Sequence, residues 1–305
     1  MTDLTAATDD MRCGFYAIIG APNAGKSTLL NSLVGAKVAI VTHKVQTTRT
    51  RITGIGMFED TQMVFIDTPG IFEPKRRLDR AMVSAAWQGA EDAETTVLMI
   101  DAKKGITDDV KRIVESLQEN NHKAILVLNK IDLIKRETLL ALTQELNESG
   151  VFSGTFMISA LKGNGVHDLK AHLASLAPKG PWMYPEDQIS DVTMRNLAAE
   201  ITREKVFLRL HEELPYATTV ETEKWEERKD GSVKIEQVIH VLRDTQKGIV
   251  IGKSGSMLKT IGQMAREEME EAFDCRVHLF LHVRVSERWA DDRSVYQDMG
   301  LEFVD

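Results

Sequence analysis

Three short stretches of this sequence hold residue types at spacings suited to chemistry on a nucleotide. The first is Gly20-Ala21-Pro22-Asn23-Ala24-Gly25-Lys26-Ser27-Thr28. Its glycines let the backbone wrap closely around a phosphate, with successive N–H groups pointing inward. Lys26 brings a point charge to the outer phosphates, and the Ser27 hydroxyl suits a magnesium ion. A helix starting directly after the loop aims its positive dipole end at the same anion. The second stretch, Asp67-Thr68-Pro69-Gly70, places a carboxylate for an outer-shell contact to that magnesium. The third is Asn129-Lys130-Ile131-Asp132. A carboxylate there can accept both the N1–H and the exocyclic amine of guanine, a pair of donors that adenine does not offer. Taken singly, the first stretch also fits a Gly-rich turn that binds nothing, and the third a solvated turn.

Such groups work only if buried strands deliver them to one edge of a sheet. An apolar run at 15–19 precedes the first loop, and Thr28-Leu29-Leu30-Asn31-Ser32-Leu33 continues it as a helix. Residues 36–51 are polar and aperiodic, a connection long enough to be functional or mobile. Runs at 52–58 and 61–66 flank Glu59-Asp60 as a hairpin, and the second leads straight into Asp67. Helical spacing follows at 78–90, 108–118, 137–147 and 166–176. Between these helices lie strands at 96–100, ending at Asp101, at 124–128, ending at Asn129, and at 156–158, running into Ser159. Strands alternating with helices over about 165 residues describe a doubly wound α/β sheet with ligands at the strand C-termini.

The 305 residues are enough for two domains, and 43% hydrophobic with 28% charged residues is ordinary for a soluble globular chain. A net charge of −8 argues against coating nucleic acid by bulk charge, but leaves room for a local basic groove. The polar, acidic first ten residues do not form a signal peptide, and no apolar run reaches the length of a membrane span. Cys13 and Cys275 lack metal-ligand spacing and read as free thiols in a reducing cytoplasm.

The composition shifts at 177–185, which holds three of the seven prolines and reads as an interdomain linker. The expected organisation is a tail at 1–12, a nucleotide domain at 13–177, a linker at 178–190, a second domain at 191–288 and a tail at 289–305. Asp191 is a plausible N-cap for a helix running to about residue 212. Alternating runs at 217–226 and 233–242 form a hairpin around Lys229-Asp230-Gly231. An apolar run then meets Gly252-Lys253-Ser254-Gly255, followed by an amphipathic helix to Phe273 and a strand at 277–285. Alone, Gly-x-x-Gly fits a plain helix-entry turn.

In this order the elements resemble a type-II KH domain, whose short loop lets protein backbone approach the sugar-phosphate of about four nucleotides. Arg243, Lys247, Lys253 and Lys259 are opposed within 243–259 only by Asp244, a balance of +4 against −1 that suits an RNA groove. Ile249, Val250, Ile251 and Ile261 fit either core or groove floor.

The loop at 20–27, Thr48, the segment at 67–70, the segment at 129–132 and Ser159-Ala160 resemble, in order, the signature motifs of translation-factor-class GTPases. With the KH-like half and Gln46-Thr47-Thr48-Arg49, the chain resembles the Era family of bacterial GTPases over 13–290. The likeness includes Glu213-Leu214-Pro215-Tyr216 and Trp289-Ala290-Asp291-Asp292. A single Gly-x4-Gly-Lys-Ser separates it from the related tandem-GTPase ribosome factor, and a departure from the Era family is Ala21 and Ala24, where that family often has larger residues.

The resemblance implies an α/β doubly wound P-loop GTPase domain followed by a smaller α+β type-II KH domain. It implies that GTP is held by residues 20–28, by Asp67, Thr68, Pro69 and Gly70, by Asn129, Lys130, Ile131 and Asp132, and by Ser159, Ala160 and Leu161. Lys26, Thr48 and Gly70 would serve catalysis, and Ser27, Thr48 and Asp67 would hold magnesium. Asn23 stands where related GTPases help to hold potassium. RNA would meet Arg243, Lys247, Ile251, Gly252, Lys253, Ser254, Gly255 and Lys259. The implied role is maturation of the small ribosomal subunit at the 3′ end of its RNA, by a cytoplasmic monomer with peripheral association at the cell membrane. A nucleotide-gated RNA-binding scaffold with incidental hydrolysis is the rival; an ATPase or kinase is disfavoured by Asn129-Lys130-x-Asp132. Hydrolysis without a partner is expected to be slow, because Ile71 and Phe72 follow Gly70 where a water-orienting Gln stands in Ras-like enzymes.

Overall fold

The computed structural model of the chain describes residues 11–44, 47–211, 214–286, 289 and 293–303. The contacts of the described residues form two compact units, one of those up to 39, within 48–191 and from 299 onward, the other of those within 40–47 and 192–298.

The first unit runs β1 (Arg12–Ile19), α1 (Lys26–Val34), β2 (Ile52–Phe58), β3 (Thr61–Asp67), α2 (Arg77–Asp92), β4 (Thr95–Asp101), α3 (Asp108–Glu119), β5 (Ala124–Asn129), α4 (Arg136–Asn147), β6 (Phe152–Met157) and α5 (Val166–Leu176). Its six-stranded sheet has the order β2-β3-β1-β4-β5-β6, with β2 antiparallel to β3 and the remaining pairs parallel. The central runs are apolar at successive positions because helices cover the sheet on both sides. Ala17, Ile19, Leu98, Leu126 and Leu128 pack with Ala86 and Ala90 of α2, Ile113 and Leu117 of α3 and Leu142 of α4. On the alternate face, the buried Tyr16 hydroxyl donates to the Leu173 carbonyl of α5 at 2.8 Å.

Three sequence expectations need correction in this unit. Arg12, assigned to a tail, opens β1. The last strand spans Phe152–Met157 rather than 156–158, since a half-exposed edge strand lacks the apolar alternation that marks a buried one. The Pro-rich stretch at 178–190 is fastened to the sheet. Gly180 N–H donates to Met11 O, Gln62 receives the N–H groups of Met183 and Tyr184, and Ser190 Oγ donates to Thr53 O.

The second unit runs α6 (Met194–Arg209), β7 (Thr218–Glu227), β8 (Val233–Val241), α7 (Asp244–Ile251), α8 (Ser256–Phe273), β9 (Val277–Val285) and α9 (Arg293–Asp298). Strand β8 is central, antiparallel to β7 and parallel to β9. Ala198 and Ile201 of α6 and Ala265 and Met269 of α8 bury against Ile235 and Val277. Val206, Ile239, Val241, Val250 and Ile261 form a second cluster. The N-cap of α6 is Thr193, whose hydroxyl accepts from Asn196 N–H at 3.3 Å, not Asp191. Residues 248–251, read as an apolar run, are the last turn of α7.

The described residues between 40 and 47 join this unit through α6. Val41 N–H donates to Glu204 at 2.8 Å, and the Lys44 ammonium donates to the Leu210 carbonyl. The Arg203 guanidinium donates to Thr47 O at 2.5 Å. Beside them Lys205 pairs with Glu204 and Glu268, all on buried or half-buried ground. Burial alone would lower the Lys205 pKa, but its hydrogen bonds to both carboxylates carry it above the ordinary value.

Candidate nucleotide-binding and RNA-binding sites

The phosphate loop leaves β1 at Gly20 and enters α1 at Gly25, and glycine is required at both. Gly20 has φ +149° and a Cβ there would lie 2.2 Å from the Met99 carbonyl oxygen. Gly25 has φ +104° and a Cβ there would lie 2.3 Å from Asn129 Nδ2. Between them Asn23 adopts φ +63°, and Thr28 follows on α1. Lys26 is 6% exposed, and its ammonium donates to the Gly20 and Ala21 carbonyls at 3.1 and 3.2 Å. Burial pushes its pKa down to about 8, against an opposing pull from Asp67.

At the end of β3, Asp67 is fully buried. Its Oδ2 accepts from the Ser27 hydroxyl at 2.7 Å, and the Ser27 and Thr48 hydroxyls lie 2.9 Å apart. Its Oδ1 is buried without a hydrogen-bond partner among the described residues. Burial raises the Asp67 pKa to about 6, in spite of Lys26 and the Ser27 and Thr48 hydroxyls, which favour the carboxylate. The three residues singled out for a metal are thus brought together. Thr68 donates to Ile18 O at 2.8 Å, and Ile71 N–H donates to Gly20 O at 3.1 Å, so this segment lies along the phosphate loop. A Cβ on Gly70 would meet Pro22 at 2.9 Å. Gln46 lies outside the described residues, as do Glu213, Ala290, Asp291 and Asp292.

Two side chains at the end of β5, Asn129 on the strand and Lys130 directly after it, join the remaining loops. Asn129 Nδ2 donates to Ala24 O at 2.8 Å while its Oδ1 accepts from Ala160 N–H at 2.9 Å. Lys130, at φ +64°, reaches back to donate to Asn23 O at 2.7 Å and to Asp101 Oδ2 at 2.7 Å. Ile131 N–H donates to Ile158 O at 3.2 Å, which fixes the turn carrying Asp132. The Ser159 hydroxyl and the Lys162 ammonium, 3.1 Å away, hold the Asp132 carboxylate below its usual pKa. Ser159 and Ala160 are buried, whereas Leu161 is 84% exposed.

Two residues absent from the sequence-derived set bear on these loops. Asn31 Oδ1 accepts from both Val38 and Ala39 N–H at 2.9 Å, pinning the chain on its way to Thr48. Asp101 holds Lys130. Its sequence signal is a carboxylate closing a buried strand, but its partner depends on the pairing of β4 with β5.

In the second unit α7 ends at Gly252, φ +72°, where a Cβ would meet Met257 Cβ at 2.7 Å. Ser254 and Gly255 follow at φ +51° and +79°, and α8 begins. Lys253 and Ser254 are exposed. The side chains of Arg243, Lys247, Lys253 and Lys259 have no ion-pair partner among the described residues. Of the ambiguous isoleucine and valine positions, Val250 and Ile261 are core, Ile251 is half-buried and Ile249 is 57% exposed.

A buried lysine in a glycine-bounded loop, an Asn-Lys-x-Asp segment clamped to that loop and an α-β-β-α-α-β unit with Gly-x-x-Gly between helices define a P-loop GTPase joined to a KH module. Comparison with known proteins agrees. Residues 15–130 match the family described as 50S ribosome-binding GTPase, and residues 213–290 match the KH domain family. The chain is 58% identical over 304 residues to GTPase Era of Mesorhizobium japonicum, covering 99% of this chain and 98% of that protein. It is 57% identical to GTPase Era of Caulobacter vibrioides, covering 99% of each. A solved structure of Era in complex with MgGDPNP and nucleotides 1506–1542 of 16S ribosomal RNA superposes with a TM-score of 0.90 at 37% identity, covering 95% of this chain and 99% of that one. The chain belongs to the GTPase Era family, and its first unit is a GTPase.

Proposed function

We propose that this protein is a GTP-driven switch that binds the 3′ end of small-subunit ribosomal RNA through its KH unit and assists maturation of the small ribosomal subunit. The observation that carries the nucleotide half is the double clamp of Asn129 and Lys130, which joins the loop bearing Asp132 to the phosphate loop. For the RNA half, support comes from four cations within residues 243–259 without an ion-pair partner among the described residues, and from exposed Lys253 and Ser254 in the Gly-x-x-Gly turn. The Era relative solved with 16S ribosomal RNA supports the same reading.

The Ser27, Thr48 and Asp67 oxygens suit magnesium, a hard cation, and the buried, unpartnered Asp67 Oδ1 supplies the acceptor it needs. When bound, the ion neutralises charge on the outer phosphates. Lys26, already desolvated, would exchange two carbonyl contacts for phosphate oxygens, a stronger charge-assisted pairing. Gly70 packs its backbone against Pro22, close to the loop where the terminal phosphate would lie. The side chains that follow, Ile71 and Phe72, cannot orient water, so hydrolysis is slow until a partner or potassium held with Asn23 adds what is missing. The GTPase half, opening at Arg12 of β1, and the KH half, from α6 to β9, are the proposed working domains. Peripheral membrane association and a monomeric state enter the proposal from the family resemblance; vesicle co-sedimentation and sedimentation velocity test them.

The deciding experiment is GTP turnover with and without an oligonucleotide of that RNA 3′ end, in potassium and in sodium. Acceleration by RNA, and by potassium in an Asn23-dependent manner, is expected. Equal rates with and without RNA would favour the scaffold with incidental hydrolysis. Asp132→Asn should shift preference from GTP toward xanthosine triphosphate, and an unchanged preference removes Asp132 from the base site.

A further inference from the structure

Asp101 closes β4 directly opposite Asn129 in the parallel β4–β5 register. It is 8% exposed, and its two oxygens do different work. Oδ1 accepts from Lys103 N–H at 3.0 Å, which shapes the turn after the strand. Oδ2 accepts from Lys130 Nζ at 2.7 Å, and the same ammonium donates to Asn23 O at 2.7 Å. Lys130 is therefore a bridge with one foot on the phosphate loop and the other on β4. A long lysine side chain has much rotamer freedom to lose, and a single neutral carbonyl is a weak reason to lose it. A buried carboxylate at the far side changes that balance, because a charge-assisted hydrogen bond is roughly twice as strong as a neutral one.

We infer that Asp101 is a positioning residue for nucleotide binding, acting through Lys130 to hold the Asn23 carbonyl and so the crest of the phosphate loop. The inference rests on reading this site as the GTP site. Asn129 clamps the loop at Ala24 from its own position; Asp101 acts one residue earlier, at Asn23, and only through Lys130. Removing its charge frees the ammonium to leave the loop while the turn bond to Lys103 can still form. Bound nucleotide then escapes faster, whereas chemistry on nucleotide already seated changes little.

The test uses full-length protein, a fluorescent GDP analogue and single-turnover hydrolysis of pre-bound GTP in Asp101→Asn, Asp101→Glu, Lys130→Met and the Asp101→Asn/Lys130→Met double variant. Asp101→Asn should raise the dissociation rate about 10- to 50-fold and leave the single-turnover rate within about threefold. The double variant should dissociate no more than about twice as fast as Lys130→Met alone, because both changes break one bridge. Asp101→Glu, which keeps the charge, should recover much of the slow dissociation. A dissociation rate unmoved in Asp101→Asn, or effects that multiply in the double variant, would overturn the inference. If Asp101→Asn fails to fold, Asp101→Glu against Lys130→Met decides instead: slow release in the first and fast release in the second supports the bridge, and equal release overturns it. Failure of unlabelled GTP to compete better than ATP on the unmodified protein would instead strike the GTP reading underneath.

Discussion

The loops at 20–25 and 252–255 are built alike and tuned apart. Each carries the chain into a helix through a left-handed glycine, Gly25 at φ +104° and Gly255 at φ +79°. Each holds a second left-handed residue, Asn23 at +63° and Ser254 at +51°, and each has a lysine, Lys26 or Lys253. The surroundings differ. Lys26 is 6% exposed and bonded to two loop carbonyls, while Asn129 and Lys130 hold the loop from outside. Lys253 is exposed, and a Cβ on Gly255 would meet nothing within 4 Å. The first design fixes a small, dense anion in a place of low dielectric, where each interaction is strong. The second offers charge to an extended polyanion in water, where many weak contacts and counterion release do the binding.

The sharpest way to break this contrast is at the lysines. Lys26→Met removes a desolvated charge from the phosphates and should weaken GTP binding about 10²- to 10³-fold, with RNA affinity of the second unit unchanged. Lys253→Met should weaken RNA binding by less than about tenfold. Equilibrium titrations of both ligands on both variants decide it; comparable losses at the two lysines would erase the distinction.

The glycines sharpen it further. Gly25→Ala drives a Cβ to 2.3 Å from Asn129 Nδ2, so the clamp on Ala24 must open. GTP affinity should fall about 10- to 100-fold on top of the left-handed strain of about 1–2 kcal/mol. Gly255→Ala meets open space and carries the strain alone, measurable as a modest fall in melting temperature with RNA affinity within a few-fold of the original.

The same contrast governs what was legible in the sequence. Strand ends and the phosphate loop were readable, because buried parallel strands are apolar runs and close backbone approach demands glycine at Gly20 and Gly25. Asp101 was not, because its partner Lys130 follows another strand and only the sheet register brings them together. Helix α7 was hidden because Gly248 followed by three apolar residues masks a 3.6-residue period. The stretch at 178–190 read as a linker because an extended, Pro-rich chain looks the same in sequence whether it is free or hydrogen-bonded to a sheet. The N-cap moved from Asp191 to Thr193 because either residue type can cap, and geometry alone chose.

A charge reversal at the open loop tests the electrostatic side alone. Lys253→Asp/Ser254→Asp places carboxylates where an RNA backbone must approach. RNA affinity should drop about 10- to 30-fold near physiological salt, and the slope of log affinity against log salt should flatten by about 1. The substitutions sit on an exposed turn, so melting should shift by no more than about 0.5 kcal/mol of stability. GTP affinity should not change. Intact RNA binding with an unchanged salt slope would remove the Gly252–Gly255 turn from the interface.

The last difference is a pH dependence that only the enclosed loop should show. Burial holds Lys26 near a pKa of about 8, below the ordinary lysine value, so its charged form is disfavoured in the folded, ligand-free protein. The unfolded chain binds that proton more tightly, so stability of the ligand-free protein should rise as pH climbs from about 8 toward the ordinary lysine value. GTP affinity should move the other way, falling by up to about tenfold per unit above pH 8, because binding must restore the proton. Asp67 adds an acid limb. Its folded pKa of about 6 lies above the unfolded value, so its contribution to stability is present at low pH and is lost as pH rises through 6. Below pH 6 its protonation should weaken magnesium-dependent nucleotide binding. Thermal melts without nucleotide and GTP titrations across pH 7–9.5 should therefore run in opposite directions in the unmodified protein. In Lys26→Met the alkaline rise in stability should vanish. If it persists, the titrating group is not Lys26, and the loop is less enclosed than its carbonyl contacts imply.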